Sequence, residues 1–117
     1  MSADPAALVR AHIEAFNARD LGVLMAGLSE DASWVTGTDR LRGAAALEQL
    51  FAAAFAEISP RLHVESLLVQ DDRVVCELRE DYTVGGVERT DHIAAFYRVE
   101  AGLITAVKVY REGSADV

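Results

Sequence analysis

Cysteine is almost missing: Cys76 is the only one in 117 residues. No disulfide can close within the chain, and one thiol cannot anchor a cysteine-based zinc site. Long apolar runs are missing too. The longest, Ala44 to Leu47 and Leu50 to Ala56, are short and alanine-rich, with Glu48, Gln49 and Glu57 among them. None approaches the ~20 residues that cross a bilayer as a helix. Basic charge is scarce, with 11 Lys and Arg against 19 Asp and Glu and a net charge of −8. Such a surface repels phosphate backbones and anionic lipid, so nucleic acid and membrane are excluded as expected partners. The opening Met1-Ser2-Ala3-Asp4-Pro5 has neither a basic segment nor an apolar one of the signal-peptide kind, and a cytoplasmic location is expected.

Catalytic signatures of the familiar kinds are absent as well. Gly85-Gly86 is isolated and Gly37 stands alone, so no glycine-rich phosphate loop exists. His12, His63 and His92 lie on different elements with no second ligand at metal spacing, so neither a metal nor a cofactor is expected. No serine sits in a Gly-x-Ser-x-Gly elbow.

What is present is a core. Hydrophobic residues make up 51% of the chain, far above what a disordered segment carries. The length suits one domain over 1–117. Asp4 and Pro5 read as an N-cap and first-turn proline. Leu8, Val9, His12, Ile13 and Phe16 then recur at helical spacing. Asp20 caps a second short helix from Leu21 to about Leu28, ended by Ser29-Glu30-Asp31. A short β-prone stretch, Ala32 to Thr36, closes at Gly37. Gly43 precedes a third helix, Ala44 to Ile58, whose stripe carries Leu47, Leu50, Phe51, Ala54, Phe55 and Ile58, and Ser59-Pro60 stops it. From His63 the period changes to two, giving strands near 63–70, 74–84, 87–99 and 103–111. Three helices followed by sequential strands predict an α+β fold, a curved antiparallel sheet wrapped around the helices.

The segment Ile13-Glu14-Ala15-Phe16-Asn17-Ala18-Arg19-Asp20 resembles the opening of the NTF2-like superfamily, in its SnoaL-like and ketosteroid-isomerase-like branch. Leu28-Ser29-Glu30-Asp31-Ala32, Leu41-Arg42-Gly43 before a helix, and the closing Phe96 to Ile104 resemble it too. The resemblance covers about the whole chain. It implies a cone in which three helices and a bent sheet enclose a pocket, usually in a homodimer. The family includes isomerases, epoxide hydrolases, polyketide cyclases, dehydratases and non-catalytic binding modules, so it does not fix a reaction.

A two-residue turn at Gly85-Gly86 sets Val84 opposite Val87, and hence Glu80 opposite Asp91, Leu78 opposite Ile93, and Cys76 opposite Ala95. Opposed residues share a face, so Glu80 and Asp91 stand in the apolar, concave face with Tyr82. Two facing carboxylates in a dry pocket would repel, raising the pKa of at least one and suiting it to general acid or base work. If both instead sit at the wet mouth or reach Arg89, that strain disappears. A bulged turn would exchange the faces and bring Arg79 and Asp81 inward instead. Arg79-Glu80-Asp81 resembles the Arg-x-Asp segment of limonene-type epoxide hydrolases, although the second aspartate of that set maps to Val109 here.

The resemblance places His12 where ketosteroid isomerases carry an oxyanion-hole tyrosine, and a histidine there could donate a hydrogen bond or relay a proton near neutrality. Their proton-shuttling aspartate maps to Thr36 and their second acid to Ala95, so a steroid isomerase of the standard kind is not expected. Catalytic roles are therefore assigned to Glu80, Asp91 and His12. The pocket wall is assigned to Phe16, Trp34, Thr36, Phe51, Phe55 and Tyr82. The expected function is cofactor-independent acid–base chemistry on a small apolar molecule, or else a non-catalytic pocket or dimerisation module. The convex face, with Ala94, Phe96 and Tyr110 beside His92, Arg98 and Lys108, is more aromatic than a small monomer commonly exposes, and a homodimer is expected.

Overall fold

The computed structural model describes residues 4–111. Helix α1 spans Pro5–Asn17, with Asp4 as N-cap accepting a 3.1 Å bond from the Ala6 N–H. Helix α2 spans Leu21–Ala26, capped by Asp20 through the Val23 N–H. It ends before Leu28, earlier than its spacing suggests, because Leu28 already opens strand β1 (Leu28–Thr36). A short strand β2 (Asp39–Arg42) turns back on β1 and was not anticipated. Its exposed Asp-Arg-Leu-Arg sequence has the polarity of a loop. Helix α3 (Ala44–Glu57) follows Gly43, which sits at φ +97° where a side chain would be strained.

Strands β3 (Arg61–Gln70), β4 (Arg73–Val84), β5 (Val87–Glu100) and β6 (Leu103–Arg111) complete a six-stranded sheet in the order β2-β1-β6-β5-β4-β3. The fold is α+β as expected, but the sheet is mixed: β1 runs parallel to β6. Parallel pairing needs a crossover rather than a turn, and here the chain from α3 through β5 provides it. Register breaks between Val64 and Ser66 on β3 and between Arg98 and Val99 on β5 interrupt the ladders, a device that bends a sheet.

The core lies between the concave face and the helices. Val9, Ile13 and Phe16 of α1 and Leu47 and Phe51 of α3 pack onto Val74, Leu78 and Val107 of the sheet. Two polar clamps fix the end of α1. The Asn17 amide exchanges a pair of 2.8 Å bonds with the Leu62 backbone. The Arg19 guanidinium donates to the Phe16 and Pro60 carbonyls and to Ser59 Oγ, and lies over the Phe55 ring. Among the described residues no helix is long and apolar enough to cross a membrane.

Candidate functional site

The register of the β4–β5 hairpin decides which side chains face the interior. Gly85 and Gly86 sit at φ +56° and +79°, the left-handed pair of a two-residue hairpin turn, and Val84 pairs with Val87. Glu80 therefore stands opposite Asp91, Leu78 opposite Ile93, and Cys76 opposite Ala95. Cys76, Leu78, Ile93 and Ala95 are buried, so this face is the concave one. Arg79 and Asp81 point the other way. On the convex side Asp81 accepts a 2.8 Å bond from Thr90 and lies 3.1 Å from His63 Nε2 and 3.5 Å from Arg79. The Thr90 bond, above all, holds the Asp81 carboxyl below the usual carboxylate range. An inward Arg-x-Asp set of the epoxide-hydrolase kind is thereby removed.

Enclosed by the sheet, α1 and α3 is a cavity of about 180 Å³, open at one end and walled mainly by apolar side chains. His12, Phe16, Trp34, Thr36 and Phe51 line it, as the sequence indicates, and so does Glu80. Three expected residues do not. Phe55 packs edge-on against Phe16 and under Arg19 instead of reaching the space. Tyr82 lies one sheet row beyond Glu80, where its hydroxyl donates a 3.1 Å bond to Asp91 Oδ2. Asp91 stands at the rim rather than in the lining.

Arg111, the last residue of β6, was not singled out from the sequence. Its Nη1 donates to Glu80 Oε1 and to Asp91 Oδ2, both at 2.6 Å. The two carboxylates are thus bridged by a cation rather than left to repel, and the expectation of a strained, unpaired dyad is corrected. Arg89 is not the bridging cation. Burial works against the charge on Arg111, but its bonds to Glu80 and Asp91 outweigh burial and raise its pKa further. Alternation could have found it. Val107, Val109 and Arg111 recur at period two, opposite in phase to Lys108 and Tyr110, which the sequence sends outward.

At the other end of the cavity His12 is 5% exposed and sits among aromatic rings. Its centroid lies 5.9 Å from Trp34, 6.2 Å from Phe51 and 5.8 Å from Tyr97. Burial lowers its pKa to about 4, so it is a neutral imidazole near pH 7. Tyr97, also missed, lines the same end, and burial raises its hydroxyl far above the ordinary tyrosine range. Cys76 is buried and its thiol is pushed up to about 11, so it offers no thiolate nucleophile. Among the described residues no group of His, Cys, Asp and Glu could hold a metal ion.

A cone of helices on a bent sheet with an apolar cavity is the architecture of NTF2-like proteins. The family model of the SnoaL-like domain matches residues 9–107. The chain belongs to the SnoaL-like family. No curated protein matches it. Among solved structures it is similar to Bal32a from a soil-derived mobile gene cassette, with 22% identity, a TM-score of 0.87, and 93% of this chain and 89% of that one covered. It is also similar to an LEH-like epoxide hydrolase of M. tuberculosis, at 18% identity and TM-score 0.84, covering 92% of this chain and 82% of that one. A putative polyketide cyclase from Xanthomonas campestris pv. campestris is 26% identical at TM-score 0.83, with 92% and 90% covered. At these identities the likeness carries the fold and not a reaction.

Proposed function

We propose that the protein is a cofactor-independent acid–base enzyme acting on a small, largely apolar molecule, with Glu80 as the proton-transferring group. The observation that carries this reading is the Glu80 carboxylate itself: 8% exposed, set in the wall of an apolar cavity, with Oε1 held 2.6 Å from Arg111. A carboxylate fixed through one oxygen can use the other to take a proton from a carbon acid or from an attacking water. Arg111 compensates its charge, and Asp91 with Tyr82 holds Arg111 in place from the rim. In this reading Glu80 is catalytic, while Asp91 and Tyr82 are positioning residues. Isomerisation, cyclisation, dehydration and epoxide opening all use such a group, and relatives of similar fold carry the names of an epoxide hydrolase and a putative polyketide cyclase. The test is a turnover screen of small cyclic epoxides, enones and β-hydroxy ketones with wild type, Glu80→Gln and Asp91→Asn. Turnover that falls at least 100-fold in Glu80→Gln, and less in Asp91→Asn, supports the assignment. A Glu80→Gln variant as active as wild type removes it.

One observation favours a non-catalytic binding module as the second reading: both carboxylates are already engaged by Arg111, as in a structural ion pair. A screen without turnover, but with ligands retained in the cavity, would select it.

The proposed assembly is a homodimer through the convex face. Phe96 and Tyr110 are 43% and 50% exposed there and meet edge to face at 5.5 Å. The ladder extends the strip through Val75 to Leu68, which is 70% exposed. An apolar strip running across four strands is the kind of surface that a second copy covers.

A further inference from the structure

We propose that the mouth of the cavity carries an anion subsite at Arg89, which takes the carboxylate of a ligand whose apolar ring lies inside. The inference rests on the reading of the cavity as a ligand site, and it names the far end of the molecule. Beyond the Glu80–Asp91 pair, the hairpin sets Tyr82 opposite Arg89 and then Val84 opposite Val87. Side chains two residues apart on a strand share a face, so the cavity wall continues past its opening as a ledge. Arg89, Val84 and Val87 are all exposed on it. Among the described residues no carboxylate lies within ion-pair distance of Arg89. Its charge is nevertheless felt at the site. Burial, then the bond to Asp91, raises the Tyr82 hydroxyl above the ordinary tyrosine range, and the charges of Arg111 and Arg89 oppose that rise.

Arg111 and Arg89 differ in what they can offer a ligand. Arg111 Nη1 already serves both Glu80 and Asp91, each at 2.6 Å. Two carboxylates to one guanidinium leave that cluster with excess negative charge, so a ligand anion beside it is repelled. Arg89 lies one row further out, about 7 Å along the strand, and is uncommitted. A guanidinium stays charged at any working pH, and its fork matches the two oxygens of a carboxylate. Size fixes the other end of the molecule. A cavity of about 180 Å³, walled mainly by apolar side chains, is close to one of ~150 Å³ that accepts benzene, and so takes one ring. The ligand class is therefore an aryl alkanoate, with its ring inside, a short alkyl chain passing Glu80, and its carboxylate on Arg89. Chain length sets the sign of the effect. A carboxylate attached directly to the ring falls beside Glu80 and Asp91 instead, where the charge is unfavourable.

The test sets two acids against their uncharged amides, phenylvalerate against phenylvaleramide and benzoate against benzamide, titrated into the full chain by calorimetry at pH 7. Trp34 is the only tryptophan and lines the cavity, so its fluorescence is a second readout. Wild type should bind phenylvalerate about 2- to 5-fold tighter than phenylvaleramide, the range of an exposed ion pair, and added salt should erase most of that advantage. The short pair should show the opposite order, benzamide over benzoate. Arg89→Gln should remove the phenylvalerate preference and Arg89→Glu should reverse it, while both variants keep the wild-type affinity for phenylvaleramide. Equal binding of the long acid and its amide by wild type, or a preference that survives Arg89→Gln, overturns the subsite. Benzoate that outbinds benzamide overturns it too, because the anion is then held at Arg111. Amide binding reports the cavity alone: amides that bind with no preference for the long acid remove Arg89 and leave the cavity reading intact. If none of the four probes binds, the cavity is not a site for such ligands and both readings fail together.

Discussion

Glu80 and Asp91 face each other across β4 and β5, and each carboxylate lies 2.6 Å from the same nitrogen of Arg111. Two like charges at that spacing would destabilise the hairpin if they were alone. With the guanidinium between them the sign reverses, because removing either carboxylate removes a partner of a half-buried cation. Glu80→Gln and Asp91→Asn should therefore lower stability at pH 7, by roughly 1–2 kcal/mol each. That is less than the cost of breaking a fully buried pair, since Arg111 is 39% exposed. Urea unfolding of both variants at pH 7 checks this. Amide variants more stable than wild type would mean that Arg111 does not compensate the pair.

His12 makes stability depend on pH in a definite window. Its folded pKa is depressed from 6.5 to about 4 by burial. Above pH 6.5 neither the folded nor the unfolded chain carries its proton, and the full contribution is present. As pH falls from 6.5 toward 4 the unfolded chain binds a proton that the native state refuses, so stability is lost across that interval. The loss attributable to this residue is roughly 3 kcal/mol. His12→Phe should flatten the profile between pH 6.5 and 4 relative to wild type, as measured by unfolding at half-unit steps. Parallel profiles would contradict a buried, neutral His12.

Phe51 holds the cavity wall together. It is 2% exposed and meets Trp34 edge-on at 5.1 Å, with His12 and Phe16 at 6.2 Å. Phe51→Ala should cost about 3–5 kcal/mol, from lost burial plus the enlarged void. A loss below ~1 kcal/mol in thermal or denaturant unfolding would mean that this aromatic cluster is not packed as described.

Pairing through the convex face has a simple readout. Light scattering at micromolar concentration should give twice the 12.6 kDa chain mass, and Phe96→Lys should restore the monomer. A wild type that scatters as 12.6 kDa would contradict the dimer.

Much of this arrangement was legible because the residues that set it are local. Gly85-Gly86 fixed the hairpin register through backbone conformation alone, and with it the inward placement of Glu80. The helices were readable from caps at Asp4 and Asp20 and from 3.6-residue spacing. What escaped depends on contacts distant in sequence. The parallel pairing of Trp34 with Val107 leaves no local trace, and neither does the short β2, whose side chains are mostly solvated. Arg111 lies 31 and 20 residues from its two partners, so no spacing rule links them. Only carrying the alternation of β6 to its final residue would have turned it inward. His12 was visible as a candidate, but its neutrality follows from the rings around it, which come from α3, β1 and β5.

That Arg111 holds Glu80 in the cavity wall is tested most directly by a double-mutant cycle of Glu80→Gln and Arg111→Met in urea unfolding at pH 7. Residues in direct charged contact couple, whereas distant ones add. The 2.6 Å pair predicts that the double variant loses less stability than the sum of the single losses, by about 1 kcal/mol or more. Single losses that simply add would contradict the bridge, and with it the placement of Glu80 as the group held ready for proton transfer.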